Sequence, residues 1–213
     1  MKKLLAAAVL AAMSVGSANA ALSFSNAEQT TEISQTGFLD LFDASLGTLN
    51  SVTLILNGSS HQTISLTNNA ANDQTTRATG TVDLLFSSSL AGLNLSAIDL
   101  ALNTTTGFIT LAPGGSQSFG PLSSSDFVSL NPLVTPFSVA GGGTFSISCH
   151  SVSGIAISGG GGNIASNQTT TAGCGASIAY DYTPTPPVTV PEPTSMALVG
   201  LGALGLAAIR RRK

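Results

Sequence analysis

The sequence is almost without basic residues between its two ends. From residue 21 to residue 190 the only one is Arg77, against nine acidic residues, so this stretch carries a net charge of −8 that the whole-chain value of −3 conceals. Nucleic-acid binding rests on clustered lysine and arginine side chains that neutralise phosphates. The charge balance therefore excludes nucleic acid as a partner and leaves serine, threonine and asparagine to keep the surface soluble.

Histidine is also scarce, and the motifs of the common enzyme classes are missing. The only histidines are His61 and His150, no serine stands in a G-x-S-x-G elbow, and no zinc, haem or phosphate-loop spacing occurs. A hydrolase needs a nucleophile, a base and an orienting group. Because His61 lies in a predicted turn and His150 follows a cysteine at a strand end, we expect both to be exposed polar residues. We predict no catalytic residue and no resident cofactor.

The amino terminus has the three parts of a secretory signal peptide. Lys2 and Lys3 precede an apolar run over residues 4–13, and small residues follow that end in Ala18-Asn19-Ala20. A basic start, a short apolar core and an A-x-A ending define such a signal. We therefore predict a signal helix in residues 1–20, with Ala18 and Ala20 marking cleavage after Ala20. The alternative is a retained membrane anchor, for which the apolar run is short.

The carboxyl terminus carries a second three-part segment. A triplet of Pro191, Glu192 and Pro193 precedes the 14 uncharged residues 196–209, and the chain ends in Arg210, Arg211, Arg212 and Lys213. As a helix the uncharged run covers about 21 Å, against a hydrocarbon core of about 30 Å, and the cations stay on the cytoplasmic side. We predict a hydrophobic helix over residues 196–209 that holds the chain in the inner membrane only transiently.

Taken together, the triplet, the small-residue helix and the basic end, residues 191–213, resemble the PEP-CTERM sorting signal of Gram-negative bacteria. The resemblance implies an exosortase as the processing partner, a cut near the triplet, and a host that makes exopolysaccharide. The expected course is export, an inner-membrane intermediate, and then the surface of the cell envelope or the medium. Extracellular polysaccharide is a candidate partner there.

Only two cysteines are present, Cys149 and Cys174, and both lie in the exported part, where the compartment permits disulfides. We predict that they form a structural disulfide, whose connectivity is settled if they pair. Closing that loop restricts the glycine tract 159–162 and stabilises by roughly 3 to 4 kcal/mol in the chain-entropy model. A reactive thiol or a metal-binding pair are the alternatives, and no neighbouring motif supports either.

Between the ends the hydrophobic pattern alternates with a period of two. Runs of β-branched and aromatic residues, bounded by turn-forming residues, predict strands at 81–86, 107–111, 144–149, 152–158 and 176–182. Residues 51–57 and 62–67 flank the turn-rich 58–61 and predict a hairpin. Short strands without amphipathic helices between them indicate a single all-β domain, an antiparallel β-sandwich over residues 21–182. The proline- and threonine-rich residues 183–190 predict a semi-rigid spacer.

This central region also resembles a known domain family. The stretches GFLDLFDASLGTLNSVTLILNG, beginning at Gly37, LAPGGSQSFGPL, and SGGGGNIASNQTTTAGCGASIAYDYTP are similar to the choice-of-anchor E domain, most clearly over residues 42–49. That family is named because near-identical domains carry different carboxyl-terminal anchoring signals. The resemblance implies an exported β domain of undefined biochemical activity, and the cysteine pair is not part of it.

Two oxygen-rich stretches are candidates for calcium. Asp40 and Asp43 lie three residues apart, and the other stretch holds Asn68, Asn69, Asn72 and Asp73. Calcium takes several oxygen ligands, but neither stretch has the spacing of an EF-hand or a calcium-binding repeat. Asparagine and aspartate also form tight turns on their own, so plain loops are the competing interpretation. Calcium is left open.

Three functions follow from these observations. The first is a non-enzymatic surface or extracellular-matrix protein, supported by targeting signals at both ends and by the missing catalytic motifs. The second is a carbohydrate-binding or adhesion module, which the lack of tryptophan and the presence of only two tyrosines disfavour, since sugar platforms use aromatic rings. The third is a secreted hydrolase, which the missing motifs oppose.

Overall fold

The computed structural model describes residues 18–186. Residues 1–17 and 187–213 are outside that part. The predicted signal helix therefore lies largely outside the described residues, as do the hydrophobic helix 196–209 and the sorting residues, which are Pro191, Glu192, Pro193, Arg210, Arg211 and Arg212. Within residues 18–186 no helix is long and apolar enough to cross a membrane.

The described chain is all-β, with 70 % strand and 4 % helix. The twelve strands are β1 (Ala18–Ser25), β2 (Gln29–Thr30), β3 (Ser34–Asp40), β4 (Phe42–Asp43), β5 (Gly47–Asn68), β6 (Gln74–Ser88), β7 (Asp99–Thr105), β8 (Ile109–Leu111), β9 (Ser116–Leu130), β10 (Ser138–Val139), β11 (Thr144–Gly159) and β12 (Ile164–Pro184). Two single-turn 3-10 helices, Thr135–Phe137 and Gly160–Gly162, lie among the later connections. The predicted cleavage point after Ala20 falls inside β1.

The strands form two antiparallel sheets. The first has the order β1-β12-β5-β9, with β2 also pairing with β12. The second has the order β3-β11-β6-β7, with β8 also pairing with β6. A short parallel pair, β4 with β10, lies apart from both. The predicted all-β fold with antiparallel sheets is confirmed.

The two sheets share one core, as in a β-sandwich. From residue 52 to residue 68 of β5 the even-numbered residues face inward, and Val52, Leu54 and Leu56 are buried on that face. They belong to one apolar cluster with Leu84 of β6 and Ile178 of β12. Alternation puts every second side chain of a strand on the same face, so the period of two read from the sequence is the period of burial.

A buried polar layer interrupts the core further along β5. Ser60 and Gln62 are fully buried, and Gln168 donates from its amide to Gln62 Oε1 at 3.0 Å and to Thr170 Oγ1 at 2.9 Å. Beyond this layer lies a second, smaller apolar cluster of Ile64, Leu66, Ala78 and Leu111. The sandwich therefore has two apolar ends separated by buried polar side chains, of which Ser60 Oγ and Gln62 Nε2 have no hydrogen-bond partner among the described residues.

The hairpin predicted around residues 58–61 is wrong. These residues lie inside the continuous strand β5 and pair on one side with β12 and on the other with β9. Gly58 does not have a positive φ, and a Cβ there would collide with the Leu84 side chain of the facing sheet. Gly58 thus marks a place where the two sheets approach closely, whereas the sequence pattern predicts a turn there.

The other predicted strands overlap observed ones but have different bounds. Residues 81–86 lie inside the longer β6, whereas the strand predicted at 107–111 starts two residues before β8, which is only Ile109–Leu111. Residues 144–149 and 152–158 both belong to β11, and residues 176–182 are the second half of β12, which continues to Pro184. The glycine tracts are turns: Gly141–Gly143 and Gly159–Gly162 all have positive φ. Long strands of this kind accept isolated serine and glycine because pairing on both sides supplies their backbone hydrogen bonds.

A polar groove on the outer face of the first sheet

Four neighbouring strands of the first sheet bring a row of residues together on its outer face. Ser25 of β1 pairs with Gly175 of β12, Gly175 with Asn57 of β5, and Asn57 with Phe127 of β9. The odd-numbered residues of β5 point away from the core, so Asn57 faces solvent. The row runs across the full width of this sheet.

A groove of about 530 Å³ lies along this row. Its floor includes Gly173 and Gly175, which leave this part of β12 without side chains on the outer face. A Cβ at Gly175 would lie 2.6 Å from Asn57 Oδ1 and 2.7 Å from the Phe24 carbonyl oxygen, and one at Gly173 would lie 2.9 Å from the Asn26 carbonyl oxygen. Neither glycine has a positive φ. Glycine is therefore required at positions 173 and 175 because a side chain would not fit, and not because of the backbone conformation.

One wall of the groove is aromatic. Phe127 lies on β9, at the edge of the sheet, and is 66 % exposed. Ser125 and Asp126 precede it and also line the groove, as does Ile55 across the strand pair. A phenylalanine this exposed leaves most of its ring in contact with water, so the ring is accessible to a ligand.

One carboxylate contacts Ser59, a residue that lines the groove. Glu28, in the connection between β1 and β2, accepts from Ser59 Oγ at 2.6 Å through Oε1. Its Oε2 lies 2.7 Å from His61 Nδ1 and accepts from Thr171 Oγ1 at 2.9 Å. Glu28 therefore ties the connection across β12 to β5, over the glycine floor.

These contacts perturb the carboxylate. Partial burial raises the pKa of Glu28, but hydrogen bonds from Ser59, His61 and Thr171, together with the charge of His61, outweigh it and lower the pKa below the ordinary value of 4.5. The side chain of Glu28 is 25 % exposed and that of His61 is 48 % exposed. Glu28 is therefore ionised at neutral pH, and its two oxygens are occupied by three partners.

His61 lies in the middle of β5. The prediction that it lies in a turn is therefore wrong, because the hairpin on which that prediction rested is absent. It is exposed, as is His150. Glu28 contacts one ring nitrogen of His61, and Ser123 lies directly across the β5–β9 pair. Among the side chains of residues 22–186, no hydroxyl forms a hydrogen bond with the other ring nitrogen of His61, so the contact between nucleophile and base that a serine hydrolase uses is absent from this part of the chain.

A bridge between the sheets lies directly beneath the groove. Cys149 of β11 and Cys174 of β12 are joined by a disulfide, with their Cα atoms 6.6 Å apart, and both side chains are buried. Cys174 is the inward-facing residue between Gly173 and Gly175, and its backbone N–H donates to Gln35 Oε1 at 3.2 Å. The groove floor is thus covalently tied to the opposite sheet.

Two of the candidate calcium residues, Asp43 and Asn68, use their side chains to hold turns. Asp43 Oδ1 accepts from the backbone N–H groups of Ser45 at 2.9 Å and Gly141 at 3.0 Å, and these bonds lower the pKa of Asp43. The Asn68 amide is buried and donates to three backbone carbonyls, of Asn72, Leu111 and Ala112. The described residues 18–186 contain no group of three or more histidine, cysteine or acidic side chains that could hold a metal ion.

Comparison with known proteins identifies the carboxyl-terminal segment. The PEP-CTERM protein-sorting motif matches residues 189–213, which include Pro191, Glu192, Pro193, Arg210, Arg211 and Arg212. This motif supports sorting by an exosortase, with export, processing at the membrane, and then a surface or extracellular location. No curated protein matches the chain.

Solved structures similar to the chain come from infectious bursal disease virus. The T13 viral particle matches at 8 % identity, covering 91 % of this chain and 47 % of that chain, with a TM-score of 0.21. The VP2 subviral particle matches at 9 % identity, covering 98 % and 54 %, with a TM-score of 0.22. This chain therefore spans about half the length of the viral chains, and TM-scores this low carry no argument about its fold or function.

The groove was not predicted from the sequence. Two signals point toward it in retrospect: the Gly-Cys-Gly run at residues 173–175 inside a strand, and the phenylalanine that ends the polar run SSSDF at residues 123–127. Glycine inside a strand often marks a close approach of backbone or ligand. Neither signal reveals the register that brings them together.

Proposed function

We propose that this protein is a non-enzymatic component of the cell surface or the extracellular matrix, delivered by its signal peptide and released from the inner membrane by an exosortase. The observation that carries the proposal is the match of residues 189–213 to the PEP-CTERM motif. The all-β domain, with nine acids and one arginine, suits a displayed or matrix-embedded role, since its acidic surface disfavours self-association.

The domain itself is proposed to be of the choice-of-anchor E type, spanning residues 21–182 and followed by a spacer at 183–190. Support comes from the resemblance that is strongest over residues 42–49. Within that stretch Phe42 is buried against Tyr180 and Tyr182, and Asp43 holds the next turn. The residues that resemble the family are therefore ones on which the local structure depends.

Sorting can be tested in a Gram-negative host and its exosortase-deficient sibling. We expect the protein at the surface or in the medium of the first host and in the inner-membrane fraction of the second. Glu192→Ala in the triplet should reproduce retention in the proficient host, whereas Asp73→Ala, in an exposed loop, should not. The same distribution in both hosts would overturn the exosortase step.

The absence of enzymatic activity is a separate part of the proposal. His61 is the histidine to test, because Glu28 already occupies one of its ring nitrogens in the way an orienting carboxylate does. We expect no turnover of the purified protein on a panel of esters and polysaccharides. Turnover that disappears in His61→Ala but persists in His150→Ala would contradict a non-enzymatic role.

A carbohydrate-binding function is the second candidate, and one observation favours it. The groove combines an exposed phenylalanine with amide and hydroxyl side chains on one flat face. Sites for small polar ligands have this mixture of an apolar wall and a few placed polar groups.

A further inference from the structure

We propose that the outer-face groove binds an uncharged stretch of polysaccharide, with Phe127 as the stacking platform and Asn57 as the principal hydrogen-bonding group. This inference deepens the surface or matrix role proposed above and rests on it for the ligand's presence. The groove volume of about 530 Å³ lies within the range of small-molecule sites, roughly 300 to 1,000 Å³.

Stacking of a sugar ring on Phe127 is the first contribution to binding. A pyranose ring has an apolar face of C–H groups and a rim of hydroxyls, so it covers an aromatic ring while keeping its hydroxyls free for polar partners. Phe127 offers such a ring, 66 % exposed and standing on a strand edge. The same face carries Ser125 and Ser129, whose short side chains leave the ring open.

Hydrogen bonding between Asn57 and a sugar hydroxyl is the second contribution to binding. The Asn57 amide lies directly across the strand pair from Phe127 and forms no side-chain hydrogen bond among the described residues 22–186. An amide has both donors and acceptors, which matches the dual character of a sugar hydroxyl. The Asn26 amide also lines the groove, and its nitrogen is buried without a partner in the same part of the chain.

Charge decides which polysaccharide fits. Asp126 lines the groove, Glu28 contacts the lining residue Ser59, and the only lysine or arginine of residues 18–186 is Arg77. Arg77 is placed over the Phe108 ring on the second sheet, 4.9 Å from its centroid, and so belongs to the opposite face of the sandwich. A polyuronate or sulfated glycan would meet repulsion here, whereas a neutral one would not.

The floor keeps its shape without ligand. Gly173 and Gly175 are held between the disulfide at Cys174 and the bonds that Glu28 makes across the sheet. A site formed in advance loses little entropy on binding, because no loop has to be ordered. Glu28 is then a positioning residue and Phe127 and Asn57 are the contact residues.

The experiment is retention of the processed protein, purified from an exosortase-proficient host, on insoluble β-glucan, mannan and galactan, with alginate as the charged probe. We expect retention on at least one neutral polysaccharide and none on alginate. Phe127→Ala should weaken that binding about tenfold, and Asn57→Ala should weaken it as well. The matched control is Phe38→Ala, since Phe38 is 67 % exposed but lies on the other sheet.

Several results would overturn the proposal: no retention on any of the three neutral polysaccharides, retention on alginate alone, or equal binding by Phe127→Ala and wild type. Thermal melting of each variant shows whether its fold is intact, and Phe38→Ala controls for the general loss of an exposed aromatic ring. Intact mass of the same preparation reports sorting. Correct processing without binding would reject the groove as a polysaccharide site and leave the surface role standing. Binding by a chain that is not processed would support the groove and reject the exosortase-sorted surface role.

Discussion

Nδ1 of His61 lies 2.7 Å from Oε2 of Glu28, and this contact joins the middle of β5 to the connection between β1 and β2. The two residues are 33 positions apart in the chain. Together with Ser59 and Thr171, they fix a short connection over a strand whose glycines leave the outer face open. The contact is therefore one of the supports of the groove.

Replacing the Glu28 carboxylate should lower the free energy of unfolding by an amount that depends on pH. Glu28→Gln removes the charge that accepts three hydrogen bonds, and we expect the free energy of unfolding to fall by about 1 kcal/mol at pH 7. Because the folded state lowers the pKa of Glu28, its contribution is fully present above the unfolded value of 4.5 and is lost as the pH falls through the folded pKa. Urea unfolding of wild type and Glu28→Gln at pH 7 and at pH 3 measures the difference in unfolding free energy at each pH.

The control for this variant is Asp73→Asn, at an acid in the loop between β5 and β6. It should change stability little at either pH. A Glu28→Gln deficit of the same size at pH 3 as at pH 7 would show that the ionised carboxylate is not the source of the effect.

The bridge between the sheets should be a major source of stability. Cys149 and Cys174 are separated by 25 positions, and closing a loop of that length is worth about 3.5 kcal/mol in the chain-entropy model. We expect the double variant Cys149→Ala with Cys174→Ala to unfold at a correspondingly lower denaturant concentration. Reduced wild-type protein should behave similarly.

Thiol alkylation checks the same bridge without mutation. Protein unfolded in denaturant without reductant should take up no alkylating agent, and after reduction it should take up two equivalents. Two reactive thiols in the unreduced, exported protein would contradict the disulfide.

The last strand should depend on one buried hydroxyl. Tyr180 is buried, its hydroxyl donates to the Asp40 carbonyl oxygen at 2.7 Å, and its ring packs near Phe42 and Phe137. Burial, with a smaller effect of the Asp40 charge, raises the pKa of Tyr180, so the hydroxyl stays protonated and keeps donating in mildly alkaline solution. Tyr180→Phe should lower the unfolding free energy by about 1 to 2 kcal/mol, because it leaves a buried carbonyl without this partner.

Tyr182→Phe is the matched control. Tyr182 packs on Phe42 at a centroid distance of 4.9 Å, and its hydroxyl forms no hydrogen bond among the described residues. Chemical denaturation of the two variants side by side measures the difference. Equal losses would indicate that the Tyr180 bond to β3 contributes nothing specific.

The sequence predicts the fold class better than it predicts individual strand ends. Alternating burial in β5 follows directly from the residues, with Leu54 and Leu56 inside and Ile55 and Asn57 outside. The sequence pattern nevertheless predicts a break at Gly58, because glycine next to serine is typical of a turn. What the sequence could not supply is the Leu84 side chain of the facing sheet, which fills the space above that glycine.

The groove is even harder to predict from the sequence, because it depends on how distant strands pair. Gly175, Asn57 and Phe127 come from three strands that are far apart in the chain, and only the register between those strands makes them neighbours. A shift of one residue would move each side chain to the other face. The sorting tail, by contrast, was predictable because its three parts are contiguous in sequence and need no fold to be recognised.

The central claim is that the chain is exported and then sorted through its carboxyl-terminal motif. The most direct test is the intact mass of the protein recovered from the envelope and from the medium. The account predicts a mature form that begins at Ala21 and ends near the triplet Pro191-Glu192-Pro193. A mature form that still carries Arg210 to Lys213 would contradict it.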